Sequence, residues 1–552
     1  MPTKKEVEKY MKKIKKEIAK KLGLTRMPTN IEILSFLSEK PASIITKPVR
    51  TISGVAPIAI MTSPAKCPHV KKGIGPCIMC PGGPDSVFGN VPQSYTGEEP
   101  AASRAIRNKF DPYLQVFNRL EHYVLLNQNF EKVEFIIMGG TFPARKKDYQ
   151  ERFIGYAFKA LNDFSKIFYV GNKFDFVKFK EFFELPAHVK DAARVKRIIK
   201  KISLLKGRIN LKAEQLKNEK ARIRCVALCI ETRPDYCKQK HINQMLALGT
   251  TRIELGVQTI YDEILKKINR GHSVKDSIKA TQLAKDCFLK VGYHMMLGLP
   301  FSTLNKDIVA FKEIFENPEF RPDALKIYPC LVIKGTKLYQ LYKDKKFLPV
   351  TKEQAIDAII EIKKSIPKYC RILRIQRDIA TQLIEAGVDA SNLRQIVHQR
   401  MKELNIKCNC IRCREPFDKE ISWQDVKFLA YEYEASKGTE IFITAEDTKN
   451  DILLGFCRLR IPYKPFRKEI TSNSAGIREL HVYGKAASLT ASNEKTIQHK
   501  GLGKKLLNKA EELAREKFDI KKLLVISGIG VREYYRNLGY KREGIYMVKK
   551  LS

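Results

Sequence analysis

Short apolar runs alternate with helical stretches over roughly residues 51–345 of the chain. Apolar runs of this length, separated by helices, are typical of βα units that form a parallel sheet. Because the carboxyl ends of parallel strands lie at one edge of a sheet, polar residues that follow these runs predict a ligand site there. The runs are FIIMGG (135–140), RCVALCIETRPD (224–235), RIELGVQT (252–259), YHMMLGLP (293–300) and ALKIYP (324–329).

The pattern changes twice towards the C-terminus. Residues 346–415 predict a helical connector that ends in KCNCIRCREP. Residues 416–552 contain strand patterns near EIFITAED, LLGFCRLR and IRELHVYG, followed by a glycine loop, a helix and LLVISG. We therefore predict four units: a basic helical segment at 1–50, an α/β domain of βα units at 51–345, a linker at 346–415 and an α+β domain at 416–552.

The charge of the chain changes this picture most. Its 552 residues include 102 Lys plus Arg and 60 Asp plus Glu, for a formal net charge of +42. Such a charge repels itself unless the partner is a polyanion, so nucleic acid is the predicted partner. The cations are partly clustered, in residues 1–26, which predict an amphipathic RNA-binding helix, and in residues 189–212. A solvated basic face and a membrane surface are the alternatives.

The apolar runs also bear on localisation. None approaches the roughly 18 residues of a membrane span, and the charged N-terminus lacks the apolar region of a signal peptide. We therefore expect a cytoplasmic protein with no membrane partner. In a reducing compartment, 13 cysteines indicate metal or redox use rather than disulfides.

Cys67, Cys77 and Cys80 lie in MTSPAKCPHVKKGIGPCIMCPGGP, a segment too rich in proline and glycine to form a helix. Three thiolates on such a loop can hold three irons of a 4Fe–4S cluster and leave the fourth iron free to chelate a small molecule. That arrangement supports one-electron radical chemistry. The alternative is a structural zinc site, for which His69 is the nearby fourth ligand.

Glycines and polar residues follow successive strands of the βα series. Gly139 and Gly140 come after FIIM, where two glycines let a ligand approach the backbone, and a tight turn is the alternative. Glu231 and Arg233 end the next strand, and Gln258 ends the one after it. We predict that these five residues bind a cofactor near the cysteines; in a radical enzyme it is S-adenosylmethionine.

A second group of cysteines, Cys408, Cys410 and Cys413, lies at the end of the connector. Three thiolates so close together are hard to explain by packing. Because nothing around them predicts a substrate pocket, we favour a structural zinc ion over a second cluster. The fourth ligand must come from elsewhere, and we expect Cys330, in the turn after KIYP. Such a zinc ion would attach the connector to the first domain.

The last domain contains a glycine loop at the start of a helix, in the sequence QHKGLGKKLLNKAEELARE. Exposed N–H groups and the helix dipole at such a position attract a pyrophosphate. The order strand, glycine loop, helix, strand is the acetyl-CoA-binding arrangement of the GNAT acetyltransferases. The candidate residues of this loop are Gln498, Lys500, Gly501, Leu502 and Gly503.

Two further pairs of residues belong to this candidate acetyl-CoA site. Glu479 and His481, in the strand IRELHVYG, are candidate cofactor-binding residues. Tyr534 and Tyr535 lie where a hydroxyl could reach the CoA sulfur, so we predict a catalytic role for them. Packing against the helix is the alternative for one of the two.

Together these motifs resemble a known family. The loop C-P-H-x7-C-x2-C-P-G-G, the segments MGGTF, ETRPD, LGVQTIYDEIL and NRGH, and the C-terminal QHKGLG and YYRNLGY are similar to those of the catalytic subunit of Elongator. The resemblance covers roughly residues 50–552. Nine residues separate the first two cysteines, whereas three are commoner in radical SAM enzymes, but the longer spacing suits this family.

The resemblance implies a radical SAM partial (βα) barrel, a zinc-bearing helical linker and a GNAT-like acetyltransferase domain. It implies modification of the wobble uridine in the tRNA anticodon stem-loop, at carbon 5, towards carboxymethyluridine. By analogy, a 5′-deoxyadenosyl radical from S-adenosylmethionine takes hydrogen from the methyl group of acetyl-CoA. The acetyl radical adds to the base, and thioester hydrolysis leaves the carboxymethyl group. Partner subunits like those of Elongator are compatible with the sequence, but no feature of it requires them, and the oligomeric state stays open.

Two other functions are compatible with these motifs. A protein lysine acetyltransferase would use the last domain alone, although a basic enzyme repels a basic substrate. A non-catalytic tRNA-binding module would carry only a structural metal.

Overall fold

The computed structural model describes residues 12–17, 19–20, 23, 27–28, 32–33, 51, 53–186, 191–417, 419–484 and 501–551. Most of the basic segment predicted at residues 1–50 lies outside the described residues, although residues 12–17 are helical. Gln498 and Lys500 of the predicted glycine loop also lie outside them. Within the described part of the chain, no helix combines the length and the apolar character that crossing a bilayer requires.

The N-terminal domain is built on a seven-stranded sheet in the order β1-β2-β5-β6-β7-β8-β10, paired in parallel throughout. Because β1 and β10 are the two edges, the sheet is a partial barrel, which confirms the predicted fold. The strands are β1 Ala56–Met61, β2 Lys132–Met138, β5 Arg224–Thr232, β6 Arg252–Gln258, β7 Lys290–Leu297, β8 Ala324–Pro329 and β10 Arg371–Ile375. Two short antiparallel pairs accompany them, β3 Tyr169–Val170 with β4 Lys173–Phe174, and β9 Val332–Ile333 with β11 Ile384–Ala386.

Helices connect the strands and cover the sheet, and one short helix, Pro68–Lys71, lies in the cysteine segment that was predicted to contain none. In β6 the first six of seven residues are buried, as expected for a strand whose sheet is covered on both faces. The helices of this part of the chain are α1 Pro68–Lys71, α2 Pro100–Arg107, α3 Pro112–Leu125, α4 Lys147–Phe168, α5 Phe176–Phe182, α6 Ala192–Leu205, α7 Leu211–Lys220, α8 Gln239–Ala247, α9 Asp262–Lys267, α10 Val274–Asp286, α11 Leu304–Glu316, α12 Lys337–Lys343, α13 Lys352–Lys364, α14 Leu393–Glu403 and α15 Ile411–Arg414.

The second basic stretch, around α6, is partly neutralised within the fold. Arg194 is buried, and its guanidinium lies 2.8 Å from the carboxylate of Glu121. Because carboxylates of the same chain pair with several of its cations, fewer of these cations are available to bind RNA than the sequence indicates. The other internal pairs are Arg197 and Lys201 with Glu184, and Lys206 with Asp111.

The connector predicted at residues 346–415 is not purely helical. It contains α13, α14 and α15, but also β10, which pairs in parallel with β8 and completes the barrel sheet. The sequence RILRI of β10 is short and carries two arginines, so its strand pattern is weak, and only pairing with β8 establishes it. The first domain therefore extends beyond the predicted boundary at residue 345.

The C-terminal domain has a seven-stranded sheet in the order β12-β13-β14-β15-β16-β18-β17. The pair β15 and β16 is parallel, whereas the neighbouring pairs are antiparallel. The long helix α16 packs on this sheet and separates β15 from β16 along the chain. The elements are β12 Val426–Ala435, β13 Gly438–Asp447, β14 Ile452–Ile461, β15 Ser474–Val482, α16 Leu502–Phe518, β16 Lys522–Val525, α17 Arg532–Arg536, β17 Lys541–Glu543 and β18 Tyr546–Lys550.

The two domains meet in a close, charged interface. Nε of Arg460 lies 3.1 Å from Oδ1 of Asp286 on α10, and Nη2 lies 2.6 Å from it. A Cβ at Gly528 would lie 2.0 Å from the carbonyl oxygen of Val226 in β5, so the backbones touch. Buried ion pairs and backbone contact together hold the barrel and the C-terminal domain in one arrangement.

Candidate active site

A cavity of about 800 Å³ lies inside the partial barrel. Pockets of about 300–1,000 Å³ are typical of cofactor and substrate sites. The structure therefore places most of the predicted cluster and cofactor residues around one space. The predicted residues that line it are Cys67, Cys77, Cys80, Gly140, Glu231, Arg233 and Gln258.

Gly139 and Gly140 have positive φ angles of 110° and 82°, which favour glycine. A Cβ at Gly139 would lie 2.5 Å from Oγ1 of Thr62, so this glycine is required for packing. Gly140 faces the cavity, where a Cβ would lie 3.4 Å from Gln93. Of the two glycines, Gly140 is therefore the one placed to let a ligand approach its backbone.

Side chains from the loop that follows the cysteines contact Cys80. Nε2 of Gln93 donates to Sγ of Cys80 at 3.0 Å, and Oγ of Ser94 lies 3.3 Å from the same sulfur. Burial raises the pKa of the Cys80 thiol, and these two hydrogen bonds oppose that rise. Donors directed at a sulfur stabilise the thiolate, which is the form that binds iron.

The NRGH segment, residues 269–272, packs beneath the cysteine loop. Nη1 of Arg270 lies 3.6 Å from Sγ of Cys77. A Cβ at Gly271 would lie 2.2 Å from Nδ1 of His69, so only glycine permits this approach. The segment thus contacts the cysteine loop at a sulfur and at an imidazole.

His69 is held as part of the protein scaffold. It is 1% exposed, its Nε2 lies 2.9 Å from Oδ2 of Asp235, and Nη2 of Arg233 lies 2.8 Å from the ring. Burial opposes ionisation of Asp235, but the hydrogen bond from His69 and the charge of Arg233 outweigh it and lower the pKa of this carboxyl. Since its ring is engaged by Asp235 and Arg233, His69 is not placed as a fourth zinc ligand for the loop cysteines.

The donor set around the cavity fits a 4Fe–4S cluster with an open iron. Three cysteines line the cavity, and in the described ranges a fourth does not. Three thiolates leave one iron without a protein ligand, where a small molecule can chelate. The cavity is large enough for such a molecule, and Glu231 and Gln258 offer polar atoms to it.

The barrel interior contains a charged cluster that the sequence analysis missed. Ligand atoms of Glu231, Glu254 and His294 lie within 4.8 Å of one another, as in a metal site. However, Nζ of Lys326 lies 2.8 Å from Oε1 of Glu231 and also pairs with Glu254. Although burial opposes it, the charge of the two carboxylates raises the pKa of Lys326. Nη2 of Arg252 lies 3.1 Å from Oε1 of Glu254, so two cations, Lys326 and Arg252, balance the two carboxylates without a metal ion.

The sequence carries a weak signal for this cluster. Glu254, His294 and Lys326 interrupt otherwise apolar strands, β6, β7 and β8. An ionisable residue within a buried strand is expensive unless it has partners, so such interruptions indicate an inward-facing polar site.

Cys408, Cys410 and Cys413 form a compact group, with their sulfurs within 4.8 Å of one another. Cys330 does not join this group among the described residues; it is 1% exposed, in a separate apolar cluster that packs against the cysteine loop of the barrel. The expectation that Cys330 is the fourth ligand is therefore corrected. Nε2 of His398 on α14 lies 3.9 Å from Sγ of Cys413, so this imidazole is the better candidate.

The start of α16 has the backbone of an anion site. Gly501 is its N-cap with a φ of 69°, and no described atom lies within 4 Å of a Cβ placed there. The first N–H groups of a helix lack partners within it and attract anions. Leu502 is 4% exposed and packs in the core of the domain, so only its backbone can contribute to binding.

Tyr534 and Tyr535 have different environments. Tyr535 is 6% exposed in the core, with its ring 5.7 Å from that of Tyr540. Tyr534 is 41% exposed, and its hydroxyl would lie 3.2 Å from a Cβ on Gly503, near the start of α16. Only Tyr534 is therefore placed to contact a ligand at this helix, and Tyr535 packs the core.

Glu479 and His481 lie on β15, next to the domain interface. Glu479 pairs with Lys290 of the barrel and accepts from Nε of Arg458 at 2.9 Å; despite burial, these cations lower its pKa to about 2. The ring of His481 stacks on Phe456 at 6.0 Å, and burial lowers its pKa to about 4. Glu479 thus joins the two domains, whereas His481 is a neutral ring at their boundary.

The fold and the cysteine cavity define a radical SAM domain joined to a GNAT domain. Family models agree: the Radical SAM superfamily matches residues 76–311, the Radical_SAM C-terminal domain residues 322–403, and the Acetyltransferase (GNAT) family residues 403–540.

Relatives match almost the whole chain. The tRNA uridine(34) acetyltransferase of Methanocaldococcus infernus is 50% identical over 95% of this chain and 92% of that protein. Elongator complex protein 3 of Homo sapiens is 38% identical over 98% of this chain and 93% of that protein. The solved structure of archaeal Methanocaldococcus infernus Elp3 with an N-terminus deletion superimposes with a TM-score of 0.72 at 45% identity, covering 91% of this chain and 100% of that one. The chain belongs to the family that contains these proteins.

Proposed function

We propose that this protein modifies the wobble uridine of tRNA at carbon 5, towards carboxymethyluridine, from acetyl-CoA and S-adenosylmethionine. Its relatives named tRNA uridine(34) acetyltransferase match 95% of the chain. The observation that carries the proposal is that one chain holds a three-cysteine cavity and a helix start suited to a CoA pyrophosphate, in domains joined by buried ion pairs.

The cysteine cavity has the residues that this chemistry needs. A 4Fe–4S cluster with S-adenosylmethionine supplies one-electron chemistry that can act on an unactivated C–H bond. Gln93 and Arg270 direct donors at the sulfurs of Cys80 and Cys77, which positions the thiolates for iron.

In the C-terminal domain, the described residues bind and orient the acyl carrier. The N–H groups that start α16 at Gly501 donate hydrogen bonds to the pyrophosphate oxygens of CoA. Gln498 and Lys500, which come just before Gly501 in the sequence, remain candidates for the same role. The Tyr534 hydroxyl, near Gly503, donates a hydrogen bond to the thioester and later to the CoA sulfur when it leaves.

A zinc ion held by Cys408, Cys410, Cys413 and His398 has a structural role in this proposal. Structural zinc sites are closed, with four protein ligands and no position for substrate. The group lies on and beside α14 and α15, immediately before the C-terminal domain. Zinc here therefore fixes the path of the chain between the two domains.

The RNA partner follows from the charge. A net charge of +42 suits a polyanion and disfavours the basic tails that a lysine acetyltransferase would modify. The bases of an anticodon loop are unstacked and can be splayed into a pocket, which a wobble uridine must do to reach the barrel. The tRNA anticodon stem-loop is therefore the proposed substrate.

Mass spectrometry of nucleosides tests the proposal. Under anaerobic conditions, purified protein with tRNA, acetyl-CoA, S-adenosylmethionine and a reductant should yield carboxymethyluridine, and omission of any one component should abolish it. Acetyl-CoA deuterated in its methyl group should transfer deuterium to 5′-deoxyadenosine. Unmodified tRNA in the complete reaction, with iron bound, would refute the proposed function.

A cysteine variant separates chemistry from binding. Cys77→Ala should abolish modification and leave tRNA affinity within a few-fold. Cys237→Ala is the matched control, because Cys237 is fully buried in the apolar core. This control should retain modification.

A further inference from the structure

Three arginines of the barrel share one wall of the cavity. Arg104 and Arg107 lie on α2, and Arg119 lies on α3; all three line the cavity that also contains the cysteines. Both helices pack beside β1, which is an edge of the open sheet. The arginines therefore lie at the open side of the partial barrel.

These cations are not neutralised within the described part of the chain. None of the charged groups that act on Arg104 or on the neighbouring His122 is a carboxylate. Burial first, and then Arg119 and Arg107, lower the pKa of Arg104 to about 10, so it stays charged at neutral pH. Burial, followed by the charges of Arg119, Arg104 and Arg107, lowers the pKa of His122 to about 4. Like charges so arranged are unfavourable without an anionic ligand.

The carboxylates nearby are engaged elsewhere. Glu99 accepts hydrogen bonds from the backbone of Thr96 at 2.9 Å and of Gly97 at 3.1 Å. Glu98 accepts from Nε2 of Gln382 at 2.8 Å. Neither is paired with an arginine of the cavity wall.

Arg104 also has an unsatisfied donor. It is 8% exposed, and its Nη2 donates to the carbonyl of Ala59 at 2.6 Å, whereas its Nε is buried without a partner. This buried donor, on a side chain that lines the cavity, is available to an acceptor that enters there. The guanidinium of Arg119 is pre-positioned, 4.1 Å from the ring of Tyr123.

We infer that Arg104, Arg107 and Arg119 form a subsite for a backbone phosphate of the RNA strand whose base enters the barrel. This inference rests on the proposed function. Guanidinium groups bind phosphate oxygens in a planar, bidentate manner and retain their charge when desolvated. A nucleoside inside the cavity stays linked to phosphates on both sides, so an anion must accompany it at the open edge. The phosphates of CoA have their own candidate site at the start of α16, in the other domain.

Salt-dependent RNA binding tests the subsite. Arg107 is exposed and Arg119 half-buried, so Arg107→Gln and Arg119→Gln should fold. For an anticodon stem-loop, each should weaken binding about fivefold to tenfold and reduce the slope of log K against log salt by about 0.7. Arg152→Gln is the matched control, because Arg152 is exposed on α4 and its substitution removes the same charge. A double variant with the slope of the wild-type protein would overturn the inference.

A phosphate scan identifies the contact. In stem-loops with one neutral methylphosphonate, the wild-type protein should lose affinity at one or two positions beside the wobble uridine. The Arg107→Gln/Arg119→Gln variant should be insensitive at those positions. Equal sensitivity of both proteins would contradict the subsite, and so would weakened acetyl-CoA binding with unchanged RNA binding, which would assign the arginines to CoA.

Failure of the subsite and failure of the proposed function are distinguishable. If the wild-type protein shows the phosphate contact but forms no carboxymethyluridine, the proposed function fails alone. If it modifies tRNA and the variants bind RNA as the wild-type protein does, the subsite fails alone. Iron and sulfide per chain and the melting temperature should be equal in the variants and the wild-type protein, which checks that the barrel is intact.

Discussion

Arg478 of the C-terminal domain donates two hydrogen bonds to Asp323 of the barrel, from Nη1 to Oδ2 at 2.8 Å and from Nη2 to Oδ1 at 2.5 Å. Both side chains are fully buried. A bidentate pair of this kind is directional as well as strong. It therefore sets the orientation of one domain on the other, and with it the relation of the two candidate sites.

Loss of this pair should destabilise the whole molecule. Asp323→Asn removes one of the two buried carboxylates that pair with Arg478 and leaves only Glu440, 2.9 Å away, to balance it, which costs about 3–5 kcal/mol. We expect calorimetry to show a lower melting temperature for both domains together. Glu361→Gln is the control, because its ion pair with Lys364 is exposed and is worth less than about 1 kcal/mol. Melting of the C-terminal domain alone would contradict the coupling.

The contact between Gly271 and His69 should be required for cluster assembly. Gly271→Ala places a methyl group 2.2 Å from the imidazole, so the cysteine loop must move. We expect a large loss of iron and sulfide per chain after anaerobic reconstitution. Gly73→Ala is a matched control. Gly73 lies in the cysteine loop and has a φ of 75°, close to the 68° of Gly271, but no described atom lies within 4 Å of a Cβ placed there. Equal loss in both variants would indicate backbone strain instead of the contact.

Arg270 should raise the reduction potential of the cluster. Its guanidinium lies 3.6 Å from Sγ of Cys77, and a cation beside a ligand sulfur favours the more negative, reduced state. Arg270→Gln should lower the midpoint potential by about 60 mV, the equivalent of about 1.4 kcal/mol for one electron. Arg270→Lys keeps the charge and should shift it less. Redox titration followed by electron paramagnetic resonance measures both, and an unchanged potential in Arg270→Gln would exclude this role.

Zinc content distinguishes the two candidates for the fourth ligand. His398→Ala should lower bound zinc as Cys413→Ser does, because each removes one ligand of a four-ligand site. Cys330→Ala should leave the zinc content unchanged, since Cys330 lies in another buried cluster. Metal analysis by mass spectrometry after dialysis against a chelator gives the answer. Zinc lost from Cys330→Ala alone would restore the original expectation.

His481 should make the protein less stable in mild acid. Its pKa is lowered to about 4 by burial, whereas in the unfolded chain it is about 6.5. The unfolded state therefore binds the proton first, so this contribution to stability is complete above pH 6.5 and is lost as the pH falls towards 4. His481→Phe keeps an aromatic ring and should lose less stability over this range. Urea unfolding at several pH values measures the difference, and parallel curves would contradict it.

Much of the fold was predictable from local patterns. The apolar runs over 224–300 form β5, β6 and β7. They could be predicted because a short apolar run is recognised from residues that are close together in the sequence. β10 was missed, since a short strand with two arginines has no distinct pattern and forms only by pairing with β8. For the same reason, Cys330 was wrongly predicted to join the zinc site of Cys408, Cys410 and Cys413, because local sequence does not show which distant residues meet in the fold.

By itself, the sequence determined the types of chemistry: cysteine spacing for a cluster, a glycine loop before a helix for a pyrophosphate, and charge for RNA. Only the tertiary structure decided which residues share a site. It shows that Tyr534 is exposed whereas Tyr535 is buried. It also places His398 next to Cys413, and Lys326 next to Glu231 inside the barrel. The reason is physical: local propensities depend on neighbours a few residues apart, whereas a site depends on where distant strand and helix ends meet after packing.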